Sequence, residues 1–180
     1  MDTENPRRGL MGLLLVFTGN GKGKTTTALG QVFRALGRGW KCCVLQFIKS
    51  GAATGESLFA CGQELLDFQS LGLGFVFPGE DPGPHRKAAR AAWRKAVDAV
   101  SSGAYRLVVL DELTYLCTLG FLGVEEILRV LRERPPGVHI VVTGREAPPE
   151  LIEAADVVTE MREVKHSFSA GRAAEEGIEY

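Results

Sequence analysis

The stretch FTGNGKGKTTT, Phe17 to Thr27, holds the residues best suited to chemistry. Gly19, Gly21 and Gly23 let the backbone curl until successive N–H groups converge on one point. Lys24 brings a cation to that point, and the Thr25 hydroxyl is a ligand type suited to Mg²⁺. Asn20 and Lys22 complete the loop, Lys22 with a second positive charge. A loop of this kind that opens a helix grips phosphate, because the helix start adds unpaired N–H groups and the positive end of its dipole. The pattern is the Walker A form GxxxxGKS/T, with Thr18 standing where the first glycine usually falls. The expectation is a nucleotide site that takes ATP with Mg²⁺.

A phosphate loop needs an acidic partner on a nearby strand. RLVVLDE, 106–112, supplies one: apolar residues for the sheet, then Asp111 and Glu112 at its end. That end of an open α/β sheet is where ligands bind. Either carboxylate would hold Mg²⁺, directly or through water. Thr143-Gly144-Arg145 closes another apolar run at the same edge. Arg145 there reaches phosphate or adenosine, or is a plain surface arginine. Glu56 and Glu112 are the carboxylates that could orient a water. The histidines His85, His139 and His166 are scattered, and no nucleophile–base triad is evident.

These residues need strands and helices to place them. Continuous apolar runs at 13–18, 42–48, 106–111 and 138–143 read as strands covered on both faces. A weaker run at 65–69 and another strand at 156–161 complete a set of about six. Helical spacing appears at 25–36, 84–100 and 124–131, and Pro135-Pro136 stops the last of these. A short helix over 149–155 has proline near its start. Strands alternating with helices imply right-handed crossovers and a mostly parallel sheet. The predicted fold is α/β, a P-loop NTPase-like (RecA-like) three-layer sandwich. Residues 72–84 are rich in glycine and proline and read as a loop, of a length that is often functional. The expected organisation is a short arm over 1–8, one P-loop domain over 9–165, and a tail over 166–180 packed on that domain.

Bulk composition narrows the class. The chain has 180 residues, 45% hydrophobic and 24% charged, enough for one sizeable core. A net charge of -1 gives no field that favours nucleic acid. No apolar run reaches the roughly 18 residues of a membrane span, and the polar start lacks a signal-peptide core. The reading is a cytoplasmic protein. Cys42, Cys43, Cys61 and Cys117 form no CxxC pair and read as buried core thiols, with Cys42 and Cys43 on opposite faces of a strand. A P-loop alone names no reaction. A small kinase, an NTP-hydrolysing switch, and an enzyme that uses ATP to donate something other than phosphate all remain open.

Beyond the loop, several segments form a set: VLQFIK at 44–49, Gly55-Glu56, Gly74-Phe75, VVLDELTY at 108–115, ERPPGVHIVVTGR at 133–145, and VKHSFSAGRAAEEGIEY at 164–180. Together with GLLLVFTGNGKGKTTTALG they resemble the P-loop (CobA-type) ATP:corrinoid adenosyltransferases, over 9–180. The resemblance implies transfer of the 5′-deoxyadenosyl group of ATP to the cobalt of a reduced corrinoid, with release of triphosphate. It implies a P-loop holding ATP in a reversed sense, and Mg²⁺ contacts from Thr25 and Glu112. It also implies that Phe75 and Phe77 form an aromatic wall against the lower corrinoid face, displacing the axial base. The lesser reading of both rings is as core anchors of a loop. The family commonly has Trp where Phe77 stands, and a longer N-terminal segment. A homodimer and a reduced flavoprotein electron donor are the further family expectations. A P-loop ATPase, or a corrinoid-binding regulatory or chaperone module, is the alternative.

Overall fold

Apolar runs covered on both faces become the central parallel strands of a six-stranded sheet, whose edge strands are partly buried at one edge and exposed at the other. The computed structural model describes residues 12–51, 54–166, 171 and 173–178. The predicted arm over 1–8 therefore lies outside the described residues, as does part of the tail. The strands are β1 (Leu14–Thr18), β2 (Cys42–Gln46), β3 (Leu66–Ser70), β4 (Leu107–Asp111), β5 (His139–Thr143) and β6 (Val157–Glu160). Their order is β3-β2-β4-β5-β1-β6, every pair parallel. Each lies within two residues of its predicted position.

The helices are α1 (Lys24–Leu36), α2 (Gly55–Ala60), α3 (Gly83–Ser101), α4 (Leu113–Thr118), α5 (Val124–Arg132) and α6 (Pro149–Ala154). On one sheet face, Ala28, Val32 and Ala35 of α1 and Ala60 of α2 cover Phe17, Val44, Val109 and Val141. On the other, α3 to α6 pack over Val16, Leu45, Leu110 and Val142. Alternate residues of β1, β2, β4 and β5 thus serve opposite cores, as the two-residue strand period demands. This is the α/β, P-loop NTPase-like fold, a parallel sheet with helices on both sides. No helix of the described residues is long and apolar enough to cross a membrane.

The cysteines follow the same geometry, with one correction. Cys42 and Cys43 are buried and belong to opposite cores. Burial pushes their thiols up to about 11 and about 12. Cys117 is half-buried, but Cys61 is exposed, against the expectation of a core thiol. It caps the short α2, whose buried residue is Ala60.

Candidate nucleotide site

The register puts β1 and β4 on either side of β5, so three strand ends meet beneath the start of α1. β1 runs directly into the glycine loop, and Gly23 caps α1 with φ 114 and no side-chain hydrogen bond. The first N–H groups of α1 are therefore left to the cavity above them. The loop leans on the segment just after β6: Gly21 N donates to Met161 O at 2.7 Å. A Cβ on Gly21 would meet the Arg162 carbonyl carbon at 2.7 Å, so only glycine allows this approach.

Lys24 is 7% exposed and its Nζ donates to Gly21 O at 2.9 Å. Burial pulls its ammonium below the usual value; Glu112 and Asp111 oppose that shift, and Arg145 adds to it. Asp111, 1% exposed, is fully engaged. Its Oδ1 accepts from Thr25 Oγ1 at 2.9 Å and from Thr143 Oγ1 at 2.7 Å. Its Oδ2 accepts from Gln46 Nε2 at 3.1 Å, and Gln46 Oε1 accepts from Ser70 Oγ at 2.8 Å. A polar chain thus crosses the strand ends from β3 to α1, with no unsatisfied buried side-chain atom among the described residues. Such a network fixes the Thr25 hydroxyl in place.

Glu112 stands next in the chain with a left-handed backbone, φ 59, and its N–H donates to Thr143 Oγ1 at 2.9 Å. A non-glycine residue held there is strained, a feature that clusters at functional sites. Burial raises its carboxyl above the usual range, and neighbouring Asp111 adds to that. Lys49 and Glu56 form an ion pair on the facing wall; burial alone would raise the Glu56 carboxyl, but the Lys49 contact together with backbone and Thr54 hydrogen bonds holds it low.

Lys24, Thr25, Glu112, Lys49 and Glu56 line one cavity of about 450 Å³, together with Lys22, Thr26, Leu29, Gly177 and Ile178. That volume suits a nucleotide-sized ligand. Arg145 is outside this lining; its side chain is exposed, and its carbonyl accepts from Thr114 Oγ1 at 2.6 Å. Its charge still reaches Lys24 and Glu112. The residues present fit Mg²⁺. Thr25 and Glu112 offer oxygen ligands at the cavity, and the like charge of Asp111 beside Glu112 is what a cation would relieve.

Phe75 and Phe77 sit apart, on the loop between β3 and α3, 55% and 68% exposed. They are not core anchors. The loop is tied down at its start, where Leu71 N, Gly72 N and Gly74 N donate to Gln46 O, Lys49 O and Ile48 O. Phase of the helix after Glu112 brings Tyr115 against Phe75, ring centres 5.5 Å apart and edge to face. The histidines play other parts: His85 meets Glu80, and His139 Nδ1 accepts from Leu13 N at the far end of the sheet. Gln46, Ser70, Thr143 and Tyr115 carry roles that the sequence reading did not assign. The signal for two of them was there, since Gln46 and Thr143 are polar residues that close apolar strands at the site edge.

A parallel sheet whose first strand feeds a phosphate loop, with carboxylates two strands away, defines a P-loop nucleotide-binding protein. The whole sequence is more specific. Residues 10–180 match the family described as ATP:corrinoid adenosyltransferase BtuR/CobO/CobP, and the chain belongs to it. It is 45% identical over 170 residues to the corrinoid adenosyltransferase of Pseudomonas aeruginosa, covering 94% of this chain and 84% of that protein. It is 40% identical over 169 residues to that of Escherichia coli K12, covering 94% and 86%. It is 38% identical over 169 residues to the corrinoid adenosyltransferase CobA of Salmonella typhimurium, covering 94% and 86%.

Proposed function

We propose that this chain transfers the 5′-deoxyadenosyl group of ATP to the cobalt of a reduced corrinoid and releases triphosphate. Membership of the adenosyltransferase family makes it an enzyme that adenosylates corrinoids with ATP. One observation carries the finer reading: the cavity gathers Lys22, Lys24, Thr25 and Glu112 at the glycine loop, groups suited to grip a polyphosphate as one leaving group. In this reading the attacking group comes from the second substrate. A Co(I) electron pair attacks the ribose C5′, the Co–C bond forms, and the C5′–O bond breaks. The electron pair of that bond leaves on the triphosphate.

The protein's part is to hold the leaving group whole. The α1 start, Lys24 and Lys22 face the triphosphate and stabilise the charge it gains. Asn20 and the loop glycines shape the backbone around it. Asp111 orients the Thr25 hydroxyl, and Thr25 with Glu112 would hold Mg²⁺, which when bound neutralises phosphate charge. Lys49 and Glu56 form the wall beyond. Arg145 acts as a positive charge near the site. Phe75 and Phe77 present apolar rings that need no polar partner, suited to face a corrinoid and exclude an axial ligand. We read the enzyme as cytoplasmic and homodimeric, with a reduced flavoprotein as electron donor. Residues 9–165 would form one domain with the tail packed on it.

The test is direct. The protein is mixed with MgATP and chemically reduced cobalamin, and the visible spectrum is followed. A light-sensitive Co–C product with inorganic triphosphate is expected. A chain that makes no such product, or that releases orthophosphate in corrinoid-independent turnover, is an ATPase instead.

A further inference from the structure

We propose that the C-terminal turn around Gly177 and Ile178 is part of the nucleotide site and positions Lys22 for the triphosphate. This inference rests on the phosphate site proposed above and extends it to residues with no other evident role. Gly177 and Ile178 line the same cavity as Lys24 and Thr25, although more than 150 positions separate them in the chain (roughly the full length of a domain). Ile178 N donates to Glu175 O at 3.1 Å, which closes a turn. Gly177 occupies that turn with φ 79, a conformation open to glycine and strained for other residues. The turn delivers the Ile178 carbonyl to Lys22, whose Nζ donates to it at 3.1 Å.

The consequence is electrostatic and geometric. Lys22 is an exposed residue on a long flexible stem, and such a side chain loses much rotamer freedom when it must meet a ligand. Held at the cavity mouth by the turn, its ammonium stands ready for a polyanion. The cavity wall beside it is Thr26 and Leu29, one turn apart on α1. Ile178 is 67% exposed there, an apolar side chain at the rim of a charged cavity. A triphosphate seated on the loop would lie under this turn, with less water around it and stronger contacts to both lysines.

The test compares the full chain with one ending at Glu176, using inorganic triphosphate and MgATP in calorimetric titrations. Loss of the turn should weaken binding of both ligands roughly tenfold, the scale of one contact to a charged group. In turnover the change should appear in the KM for ATP by a similar factor, with a much smaller change in kcat. Gly177→Ala strains the turn without removing it and should shift both constants the same way by less. Lys22→Met should add little in the shortened chain, because the two changes remove one interaction. A shortened chain that keeps its circular dichroism spectrum and binds triphosphate as tightly as the full chain overturns the proposal, as do losses that simply multiply. If the full chain makes the adenosylated product and shortening changes nothing, the tail proposal alone fails. If the full chain binds neither MgATP nor triphosphate, the phosphate site fails, and the tail proposal with it.

Discussion

The phosphate loop and the Phe75 loop rise from the same sheet edge and are built in opposite ways. Around the phosphate loop the buried polar side chains are engaged: Asp111 takes three hydrogen bonds, and Lys24 is nearly buried. At the Phe75 loop the rings are more than half exposed, and Phe75 has one aromatic neighbour, Tyr115. Under the proposed function, the difference follows from what each would meet. A triphosphate is stabilised by dipoles and charges fixed in advance, since reorganising them during reaction costs energy. A flat macrocycle needs apolar area without competing polar groups, and under that reading the exposed rings would supply it. The two regions are joined by α4, which starts after Glu112 and carries Tyr115 three residues on. Preorganised charge and adaptable apolar surface are thus kept separate, yet share one short helix.

The largest effect should come from the engaged side. Lys24→Ala removes a cation aimed at the leaving group and should lower adenosyl transfer on the order of 10²–10³-fold. The loss should be equal whether the reaction starts from Co(II) with a reductant or from pre-reduced Co(I), because the leaving group is the same in both. Folding should not suffer, since burial already opposes the Lys24 charge. Rates measured from both cobalt states, with a melting curve, check this. A loss confined to the Co(II) reaction would break the division of labour between the two loops.

Phe75→Ala probes the other side. Its ring is largely exposed, so stability should change by no more than about 1 kcal/mol. The rate from Co(II) should fall tenfold or more, about 1.4 kcal/mol on the barrier. The rate from Co(I) should change far less, because there the axial base no longer matters. Equal losses from the two states would dismiss the apolar wall. Phe77→Ala sharpens the point: the more exposed ring should give the smaller defect of the same kind.

How much of this was legible in the sequence depends on the range of each interaction. All six strands and four of the helices followed from apolar periodicity and proline, which are local signals. α2 and α4 did not, for each has six residues, too few for a helical stripe to show, and neither carries the proline that marks the equally short α6. The start of α2 is marked by Thr54 and Ser57 capping each other, where the usual signature has Glu or Gln at the later position. Lys24, Thr25, Glu112 and Glu56 were read as site residues and line the cavity. Arg145 lies at the predicted edge but is not part of the lining; its backbone carbonyl accepts from Thr114 and its charge reaches Lys24 and Glu112. The links Ser70–Gln46–Asp111–Thr143 were invisible because they depend on strand order, which periodicity does not give. The turn at Gly177 was beyond reach for the same reason. Cys61 misled because residue type alone said buried, while its place at the end of a short surface helix decided otherwise.

The smallest expected effect lies at the opposite end of the strands, and it separates folding from function. His139 Nδ1 accepts a hydrogen bond from Leu13 N at 3.0 Å, and its ring stacks on Trp40 at 5.3 Å. Burial lowers its affinity for a proton, and the nearby Arg106 and Arg134 charges lower it further. A proton on Nδ1 would also break the bond from Leu13. The unfolded chain, with an ordinary histidine value of about 6.5, therefore binds more protons than the folded one below that pH. Stability contributed by neutral His139 is present above that value and is lost as pH falls through it toward the depressed folded value. His139→Asn keeps an acceptor for Leu13 and has nothing to titrate. Its melting temperature should thus fall less than that of the parent chain between pH 7 and pH 5.5, roughly the range over which histidine gains its charge. At pH 7 its rates from Co(I) and from Co(II) should both stay within about twofold of the parent, because this edge touches neither loop. Parallel melting curves would remove His139 as the source of the acid sensitivity, and a rate loss from one cobalt state alone would mean that the far edge of the sheet feeds into one loop and not the other.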